Sequence, residues 1–522
     1  MKHILRFLLI LIIATVFKSV AVSINNTLVI RSATPTGDTT WDNWNGEVHV
    51  TPSAIFKPST LDDLKDIVKL AKQNGKTIRC AAQGHSVSDL SYTQNYLVIV
   101  TELTQVTVQE DPKYGWTVTA EAGTPLSKLD DVLRKHDPPL TLDSETVFDS
   151  FRVSGVVAVG AHGAKTSSGI ISDQIVSMKI VTASGDVVTF SEEIDKQEFN
   201  AAKVNLGLFG IIYSVTFRVQ PMYNLRMTDT LYPAKEWIKP QNIKNILEVS
   251  DGIEIFYWPF NGFNQGDPSH PDPSKDLIWV KNWVRTNEPV TLPPEALAQL
   301  RYNYTQGIIQ QYNTLKFLIP NPLYTPNITA SIWDSSFGAA GNTSMVLNAP
   351  DAMHYIPAEE SALFNLWEIG FKVDPDFSNV ATEISFIIQA LYDFAAKGKF
   401  PVNYIADFRI IKSTEALFST TFDHDPKALY CQLDLETVYN TPSWEEFIQS
   451  LGQRYFTNKY NAKPHWGKEW ETTPGIIPYL SKALKEPIKQ FEKVRAKYDP
   501  NKMFFDNKSL QDIFSGALGP KS

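Results

Sequence analysis

The sequence is short of cysteine and shows no excess of basic residues. Its 522 residues include two cysteines, too few for a disulfide scaffold or a cysteine-based zinc cluster. Lysine and arginine number 48 against 57 aspartate and glutamate residues, a formal charge of −9, whereas a nucleic-acid-binding protein is expected to carry a basic excess. These absences leave a multi-domain protein of ordinary globular composition, typical of an enzyme with no nucleic-acid partner.

The chain also lacks the short motifs of several large enzyme classes. No G-x-G-x-x-G follows a predicted strand, and G-x-x-x-x-G-K-Ser/Thr, G-x-S-x-G and H-E-x-x-H do not occur. A nicotinamide Rossmann enzyme, a P-loop enzyme, an α/β-hydrolase and a zinc metalloprotease are therefore disfavoured. No set of metal ligands stands out either, and no metal is predicted.

Long hydrophobic runs are absent apart from one near the start of the chain. The run covers residues 7–17, follows Lys2 and Arg6, and precedes small residues at 19–23. It is too short to cross a hydrocarbon core of ~30 Å and resembles a secretory signal peptide over residues 1–23. Five N-x-Ser/Thr sequons agree with that route, at Asn25, Asn303, Asn327, Asn342 and Asn507. We predict an extracellular protein; an uncleaved anchor, with membrane association, is the alternative.

Helix and strand signals alternate through the first half of the chain. Pro58 follows a short apolar strand, and Ser59 is predicted as the N-cap of an amphipathic helix with Asp62 in its first turn. Gly75 is placed to end that helix in a left-handed conformation.

A change of pattern near residue 222 predicts a domain boundary. Aromatic strands and longer helices follow it. We expect an α+β fold of two domains: a mixed α+β domain over residues 45–222, and a second domain over residues 223–522 built on an antiparallel sheet with helices.

Two glycine-rich segments of the first domain are candidate ligand turns. They are residues 81–89 and 153–164, the first directly after a predicted strand. Glycine lets backbone N–H groups approach a ligand closely, and such donor-rich turns suit a pyrophosphate. Each segment alone could be an ordinary turn, but the two together favour a binding site. The predicted contributors are Gln83, Gly84, Ser86, Ser88, Ser154, Gly155, Gly160 and Gly163.

These segments resemble the FAD-binding domain of vanillyl-alcohol-oxidase-type flavoproteins, the PCMH type. The resemblance rests on residues 58–60 with their helix, on Gly84-His85-Ser86, on residues 155–163, and on residues 206–212, which are similar to the closing L-G-x-x-G-I signature. Residues 464–468 and 499–504 resemble the sugar-1,4-lactone oxidases and alditol oxidases. A two-domain flavoprotein with a substrate domain is the fold that this resemblance implies.

The resemblance also implies how FAD is held. In oxidases of this family a histidine at the position of His85 is linked covalently to the flavin, and a neutral imidazole is a competent nucleophile near neutral pH. Gly210 and Ile212 of the closing signature join the cofactor residues. His162 is interpreted as a structural residue of a cofactor turn that hydrogen-bonds backbone.

Four residues are predicted to form the reaction centre. Lys468 matches the family lysine near the flavin, and a lowered pKa in a desolvated pocket would make it the base; His465 is the second choice. Asp407 and Arg409 match a Glu-x-Arg pair in which the arginine offsets charge on the reduced flavin. Aspartate replaces glutamate here, which leaves substrate contacts open. On the residues alone, the pair could be a surface salt bridge.

The implied reaction is oxidation of a sugar-derived 1,4-lactone by FAD and O2, giving an ascorbate-type product and H2O2. An alditol or other carbohydrate oxidase is the alternative within this family, and a dehydrogenase with another acceptor is also open. A secreted flavoprotein that has lost catalysis is the alternative of a different class. The predicted partners are a small sugar lactone or polyol and O2.

Overall fold

A computed structural model describes residues 34–265, 272–356 and 361–519 of the chain. The predicted signal peptide and the sequon at Asn25 lie outside these ranges. None of the helices within them is both long and apolar enough to span a bilayer.

Twenty strands are present in the described part of the chain. In chain order they are β1 Trp41–Asp42, β2 His49–Val50, β3 Ala54–Phe56, β4 Ile78–Ala81, β5 Tyr96–Ile99, β6 Val106–Asp111, β7 Gly115–Glu121, β8 Leu140–Thr141, β9 Ile175–Val181, β10 Val187–Ser191, β11 Ile211–Arg218, β12 Gln220–Pro221, β13 Asn224–Pro233, β14 Gly252–Tyr257, β15 Leu277–Thr286, β16 Thr343–Asn348, β17 Phe364–Lys372, β18 Ile405–Lys412, β19 Leu429–Val438 and β20 Lys463–Pro464.

Fifteen α-helices accompany these strands in the same ranges. They are α1 Leu61–Gln73, α2 Leu126–Arg134, α3 Val153–Ala158, α4 Lys196–Ala202, α5 Ala234–Trp237, α6 Pro240–Glu248, α7 Pro294–Leu315, α8 Thr325–Ser335, α9 Phe337–Ala340, α10 Ala349–Met353, α11 Ser378–Ala395, α12 Trp444–Tyr455, α13 Ile476–Ala483, α14 Lys485–Tyr498 and α15 Lys508–Leu518.

Three larger sheets organise the molecule. A parallel sheet has the order β3-β5-β4, and an antiparallel sheet has the order β10-β9-β11-β7-β6. The third sheet is antiparallel, has eight strands, and runs β16-β13-β15-β14-β18-β19-β17-β20. The α+β prediction with an antiparallel sheet in the second half is confirmed.

The main hydrophobic core crosses the predicted domain boundary. Side chains of the two smaller sheets and α1 pack together with Trp466, Trp470 and the apolar faces of α13, α14 and α15. A second core lies on one side of the eight-stranded sheet, under α11 and α12. The predicted second domain, residues 223–522, therefore contributes its C-terminal part to the core of the first.

The first helix begins one residue later than the sequence suggested. Thr60, not Ser59, is the N-cap of α1, and Asp63, not Asp62, completes a capping box with it. Ser59 instead donates to the Asp63 carboxylate from both its backbone and its hydroxyl group, so the two candidates compete for one acceptor. Gly75 follows the helix with φ of +61°, the left-handed conformation predicted for it.

The sequon at Asn507 differs from the other described sequons in its environment. Asn507 is buried, caps α15 by accepting from the Leu510 N–H group, and donates to Asp89. Asn303, Asn327 and Asn342 are exposed. A glycan could be attached to the folded protein at these three positions but not at Asn507.

Candidate active site

A cavity of about 330 Å³ lies between the glycine-rich turns and the eight-stranded sheet. Its size falls within the range of small-molecule sites. One side consists of residues 79–86, the start of α3, and residues 206–212. The opposite side consists of side chains from β17, β18 and β19 together with residues 465–468. The cavity thus joins the two halves of the molecule.

Most of the residues predicted to bind the cofactor line this cavity, and three do not. The lining set is Gln83, Gly84, His85, Ser86, Ser154, Gly155, His162, Gly210 and Ile212. Ser88 instead donates its hydroxyl hydrogen to the Trp466 carbonyl at 2.6 Å. Gly160 packs against Val204 with φ of +71°, and Gly163 lies against the Glu145 carbonyl. Those three residues support the turns from behind.

The turn at Gly84 is held open towards the cavity by contacts on its outer side. Gly84 has φ of +82°, which favours glycine. Its carbonyl accepts from the Trp44 N–H group at 2.8 Å, and Ser86 accepts from Asn43 at 2.9 Å. The turn is therefore fixed before any ligand binds.

The chemistry of this side of the cavity fits FAD. A Cβ atom added to Gly155 would meet only Ala82, at 3.9 Å, so the space beside α3 is kept free by glycine. Two arginines that the sequence reasoning missed, Arg79 and Arg152, line the cavity and are fixed by carbonyl oxygens, Arg79 by those of Leu90, Phe504 and Leu206. With the serine hydroxyls they would hold the pyrophosphate of FAD.

His85 lies between two aromatic rings at the edge of the cavity. Its ring stacks on Trp44 with centroids 5.5 Å apart and is tilted against Phe151 at 4.9 Å. The side chain is therefore positioned by packing and faces the cavity that it lines.

His162 and Glu368 form a short hydrogen bond inside the cavity. The His162 Nε2 atom lies 2.6 Å from the Glu368 carboxylate, and its Nδ1 atom faces the Gly163 carbonyl at 3.1 Å. The contact with backbone is the one predicted for His162. Burial opposes ionisation of Glu368, but His465, His162 and Lys468 outweigh it and lower the pKa of this carboxyl group. Both ring nitrogens of His162 thus face hydrogen-bond acceptors.

His465 lies beside this pair and is kept neutral. Burial lowers the pKa of His465 to about 4, helped by the positive charges of His162 and Lys468 and opposed by Glu368. Its Nδ1 atom accepts from the Gly467 N–H group at 3.2 Å. In the neutral ring the proton therefore sits on Nε2, which makes His465 a hydrogen-bond donor rather than a base at that atom.

The register of the eight-stranded sheet gathers charged side chains on one face. Arg409 lies opposite Glu254, and Asp434 lies between Asp407 and Glu368 across three neighbouring strands. Because side chains alternate along a strand, these residues point to the same side, towards the cavity. We call this set, completed by Glu436 and Lys468, the charged face: Glu254, Glu368, Asp407, Arg409, Asp434, Glu436 and Lys468.

Asp407 and Arg409 form a buried ion pair within the charged face. The Arg409 Nη2 atom lies 2.6 Å from Asp407, and its Nε atom lies 2.9 Å from Glu254. The Asp407 side chain is 3% exposed, so the surface salt bridge considered from sequence is excluded. Burial raises the pKa of Asp407 well above its usual value; Arg409 opposes this and the nearby carboxylates Glu254 and Asp434 add to it.

The predicted charge state of Lys468 is wrong. Burial does act to lower the pKa of Lys468, but Asp434, Glu368 and Glu436 stabilise the ammonium ion, and the pKa is raised above its usual value. The Nζ atom lies 3.3 Å from Asp434. Lys468 is therefore a fixed positive charge, not a neutral amine.

Glu436 is a charged-face residue whose pKa lies near physiological pH. Burial and the negative charge of Asp434 raise its pKa to about 7, against the opposing effect of Lys468 and Arg409. At neutral pH its carboxyl group therefore exchanges protons readily.

Sequence reasoning missed four members of the charged face, Glu254, Glu368, Asp434 and Glu436. Each is an acidic residue inside a mostly apolar strand, and that isolation was the available signal. Sequence reasoning also missed the buried Glu145, which lies in a loop outside the cavity lining.

Among the residues that the structure describes, two groups of buried side chains have potential ligand atoms within 4.8 Å of one another and could hold a metal ion. One, the His162 cluster, is His162, Glu368 and His465; the other, the His354 cluster, is Asp130, Glu145 and His354. In both, the nitrogen–oxygen contacts are direct, at 2.6 Å in the first and 2.8 and 3.2 Å in the second. Bonds of about 2.0–2.2 Å to a tetrahedral ion would hold such atoms farther apart. The geometry favours hydrogen bonds, and the absence of a metal stays a prediction.

Comparisons with known proteins agree with the geometry of the site. Residues 52–191 match the family model of an FAD binding domain, and residues 273–512 match that of D-arabinono-1,4-lactone oxidase. The chain is 23% identical to an L-gulonolactone oxidase of Scyliorhinus torazame over 474 residues, covering 90% of this chain and 96% of the relative. It is 23% identical to an L-gulono-1,4-lactone dehydrogenase of Mycobacterium tuberculosis over 489 residues, covering 92% and 99%.

The fold is also that of a solved oxidase. A cholesterol oxidase from Brevibacterium sterolicum superposes with a TM-score of 0.75 at 18% identity, covering 92% of this chain and 99% of that chain. Both halves of the molecule and the cavity between them are thus accounted for by one architecture. The chain belongs to the vanillyl-alcohol-oxidase-type FAD-dependent oxidoreductases that act on CH–OH groups, in the branch of the aldonolactone oxidases and dehydrogenases.

Proposed function

We propose that the protein oxidises a carbinol of a sugar-derived 1,4-lactone. The observation that carries this proposal is that Asp407, Arg409 and Lys468 open into the same cavity as the glycine-rich turns. The named activities of the relatives, gulonolactone and arabinonolactone oxidation, support the substrate class. FAD, when bound, supplies the hydride acceptor and passes the electrons on.

Different residues of the charged face bind the substrate and transfer the proton. Lys468 and Arg409 present fixed positive charges, which hold a substrate oxygen and favour negative charge that develops during the reaction. His465 presents an N–H donor to the same space. A substrate with several hydroxyl groups would find acceptors in Asp434 and Glu436.

Asp407 is the proposed general base in place of Lys468. Lys468 is already protonated, so it cannot accept the hydroxyl proton. Asp407 lines the cavity, and burial raises its pKa and thereby its affinity for a proton, while Arg409 at 2.6 Å favours its carboxylate form. Asp407 would take the hydroxyl proton of the carbinol, and FAD, when bound, would supply the acceptor for the hydride, so that the carbinol would become a carbonyl group.

For a 1,4-lactone the oxidised centre would be C2, and the product would be of the ascorbate type. We propose O2 as the acceptor, reduced by two electrons to H2O2. A dehydrogenase with a different acceptor is the second candidate, because one relative carries that name. Oxidation of alditols or other carbohydrates is the third.

The decisive experiment measures turnover of purified protein with L-gulono-1,4-lactone, D-arabinono-1,4-lactone and xylitol. O2 consumption and H2O2 formation are followed beside reduction of an artificial dye under anaerobic conditions. Lactone turnover with equimolar H2O2 supports the proposal. Dye reduction without O2 consumption indicates a dehydrogenase, and xylitol turnover alone indicates an alditol oxidase.

We further propose that FAD is attached covalently through His85. Packing between Trp44 and Phe151 positions the imidazole at the cavity. The test is acid denaturation of the purified protein followed by gel electrophoresis. Flavin fluorescence that migrates with the chain, and is lost in His85→Ala, supports the link; flavin in the supernatant of the wild-type protein overturns it.

Secretion is the localisation that we propose. The exposure of Asn303, Asn327 and Asn342 supports it, because a secreted protein needs accessible sequons to be glycosylated. Expression in a eukaryotic host, followed by endoglycosidase treatment and mass spectrometry, tests both points. We expect glycans at one or more of these three positions, none at Asn507, and protein in the medium rather than in the membrane fraction.

A further inference from the structure

The cavity changes from charged to apolar along the strands that form its floor. Leu366 precedes Glu368 by two residues on β17, and Ile405 precedes Asp407 by two on β18. On the same face, Glu436 lies opposite both Leu366 and Ile405. One step of two residues, about 6.6 Å, therefore leads from the proposed base to an apolar surface.

That surface is formed by several elements. We call it the apolar end, and it consists of Ile308, Ala362, Phe364, Leu366, Tyr404 and Ile405, all of which line the cavity. Phe364 and Tyr404 are in ring contact at 4.7 Å, and Tyr312 packs on Phe364 from behind at 5.7 Å. The surface is thus rigid and backed by the aromatic core around α7.

The apolar end suits an apolar group better than a further sugar hydroxyl. Among its six side chains, Tyr404 alone carries a polar atom. A hydroxyl group buried there would lose its water and find almost no partner, at a net cost. An alkyl or aryl group would bury its surface at no such cost.

We infer that the substrate carries an apolar substituent, which occupies the apolar end while its reacting carbinol and oxygen atoms meet the charged face. This inference rests on the proposed function, and it narrows the substrate class from a free aldonolactone to a lactone or sugar with an alkyl, acyl or aryl group. Glu436 lies at the junction and would accept a hydrogen bond from the last hydroxyl group before the apolar part.

The experiment compares L-gulono-1,4-lactone with its 6-O-octanoyl ester, used below its critical micelle concentration. The ester places eight carbons at the end of the molecule remote from C2. We expect kcat/KM for the ester to exceed that for the lactone by roughly tenfold or more, since even one methylene buried in an apolar pocket is worth about tenfold.

Two variants on the same helix locate the effect. Ile308→Asn places an amide in the apolar end and should remove most of the ester's advantage, measured as the ratio of kcat/KM for the ester to kcat/KM for the plain lactone. Ile309→Asn is the matched control, because Ile309 is the next residue on α7 and is not part of the cavity lining. Calorimetric titration of the ester into the FAD-loaded protein gives a readout that needs no turnover.

The outcomes separate this inference from the proposed function. Lactone turnover with no preference for the ester overturns the apolar occupant and leaves lactone oxidation standing. If neither compound is turned over, lactone oxidation is overturned, and calorimetry then tests the apolar occupant by itself. Ester binding that is weakened in Ile308→Asn but not in Ile309→Asn supports the inference. Ester binding to FAD-free His85→Ala protein but not to the FAD-loaded wild-type protein overturns it, because the apolar end would then be covered by the cofactor.

Discussion

The His162 cluster and the His354 cluster are built from the same kinds of side chain and differ in where they lie. Each contains buried histidine and carboxylate groups in direct contact. The His162 cluster lines the cavity between the glycine-rich turns and the eight-stranded sheet, whereas Asp130, Glu145 and His354 do not. His354 is held between two carboxylates, Asp130 on α2 and Glu145 in the following loop.

The pKa values of His354 and His465 are shifted in opposite directions, and only His465 lines the cavity. Burial opposes the charged form of His354, but Glu145 and Asp130 outweigh it and raise its pKa well above the usual value. His465 experiences the opposite balance, and its pKa falls to about 4. A histidine between two carboxylates acts as a counter-ion that joins parts of the fold, while a neutral one facing a cavity is free to contact a ligand.

The largest expected effect tests the charged face itself. Asp407→Asn keeps the size of the side chain but removes the proposed base and the negative charge beside Arg409. Loss of a general base typically costs about 10²–10⁴-fold in rate, so we expect kcat to fall by that amount in stopped-flow reduction of the bound flavin. Asp130→Asn, in the His354 cluster, is the control and should reduce kcat by less than about threefold. Equal losses in both variants would remove the distinction between the clusters.

The second effect should appear in stability and not in turnover. His354→Phe leaves two buried carboxylates without their cation, and removing one partner of a buried ion pair costs about 3–5 kcal/mol. Urea unfolding at pH 7.5 should show this loss. The difference in unfolding free energy between the variant and the wild-type protein should shrink towards pH 5, because protonation of Asp130 then relieves its repulsion with Glu145. A fall in turnover per bound flavin with unchanged stability would place the His354 cluster in the active site.

A smaller effect distinguishes two roles of Lys468, that of a fixed positive charge and that of a base. Arginine can replace an ammonium charge but cannot accept a proton at neutral pH. We expect Lys468→Arg to keep kcat/KM within about tenfold of wild type and Lys468→Gln to lose about 100-fold, the scale of one electrostatic contact in a transition state. The opposite result would be equal inactivity of both variants together with a wild-type pH profile that follows the titration of Lys468. The lysine, and not Asp407, would then accept the hydroxyl proton of the substrate.

The sequence predicted the parts of the site that depend on local backbone. The turn at Gly84 needs a left-handed glycine, and that need is visible in the order of residues. The fold class and the family followed from such segments together with residues 464–468. Ser88, Gly160 and Gly163 are of the same residue types but support the turns from outside the cavity, because composition does not tell which side of a turn faces the ligand.

The charge state of the site could not be predicted in the same way. Lys468 was expected to be neutral because a desolvated pocket near the flavin, which the resemblance implied, lowers the pKa of a lysine. Its carboxylate neighbours come from β17 and β19, which are brought beside it by strand register. Asp434 and Glu368 are 34 and 100 residues away in the chain, so no local pattern links them to the lysine.

The smallest effect concerns Glu436, a member of the charged face with a pKa near neutral pH. Its pKa is about 7 in the folded protein, above the unfolded value of about 4.5, so ionisation above that range costs stability. Glu436→Gln removes this cost. We expect the variant and the wild-type protein to be equally stable near pH 4.5, and the variant to gain on the order of 1 kcal/mol by pH 8. Urea unfolding of the two proteins, matched in FAD content, measures the difference across this range. A constant offset at all pH values would show that folding does not raise the pKa of Glu436, and its carboxyl group would then be ionised at neutral pH like an exposed glutamate.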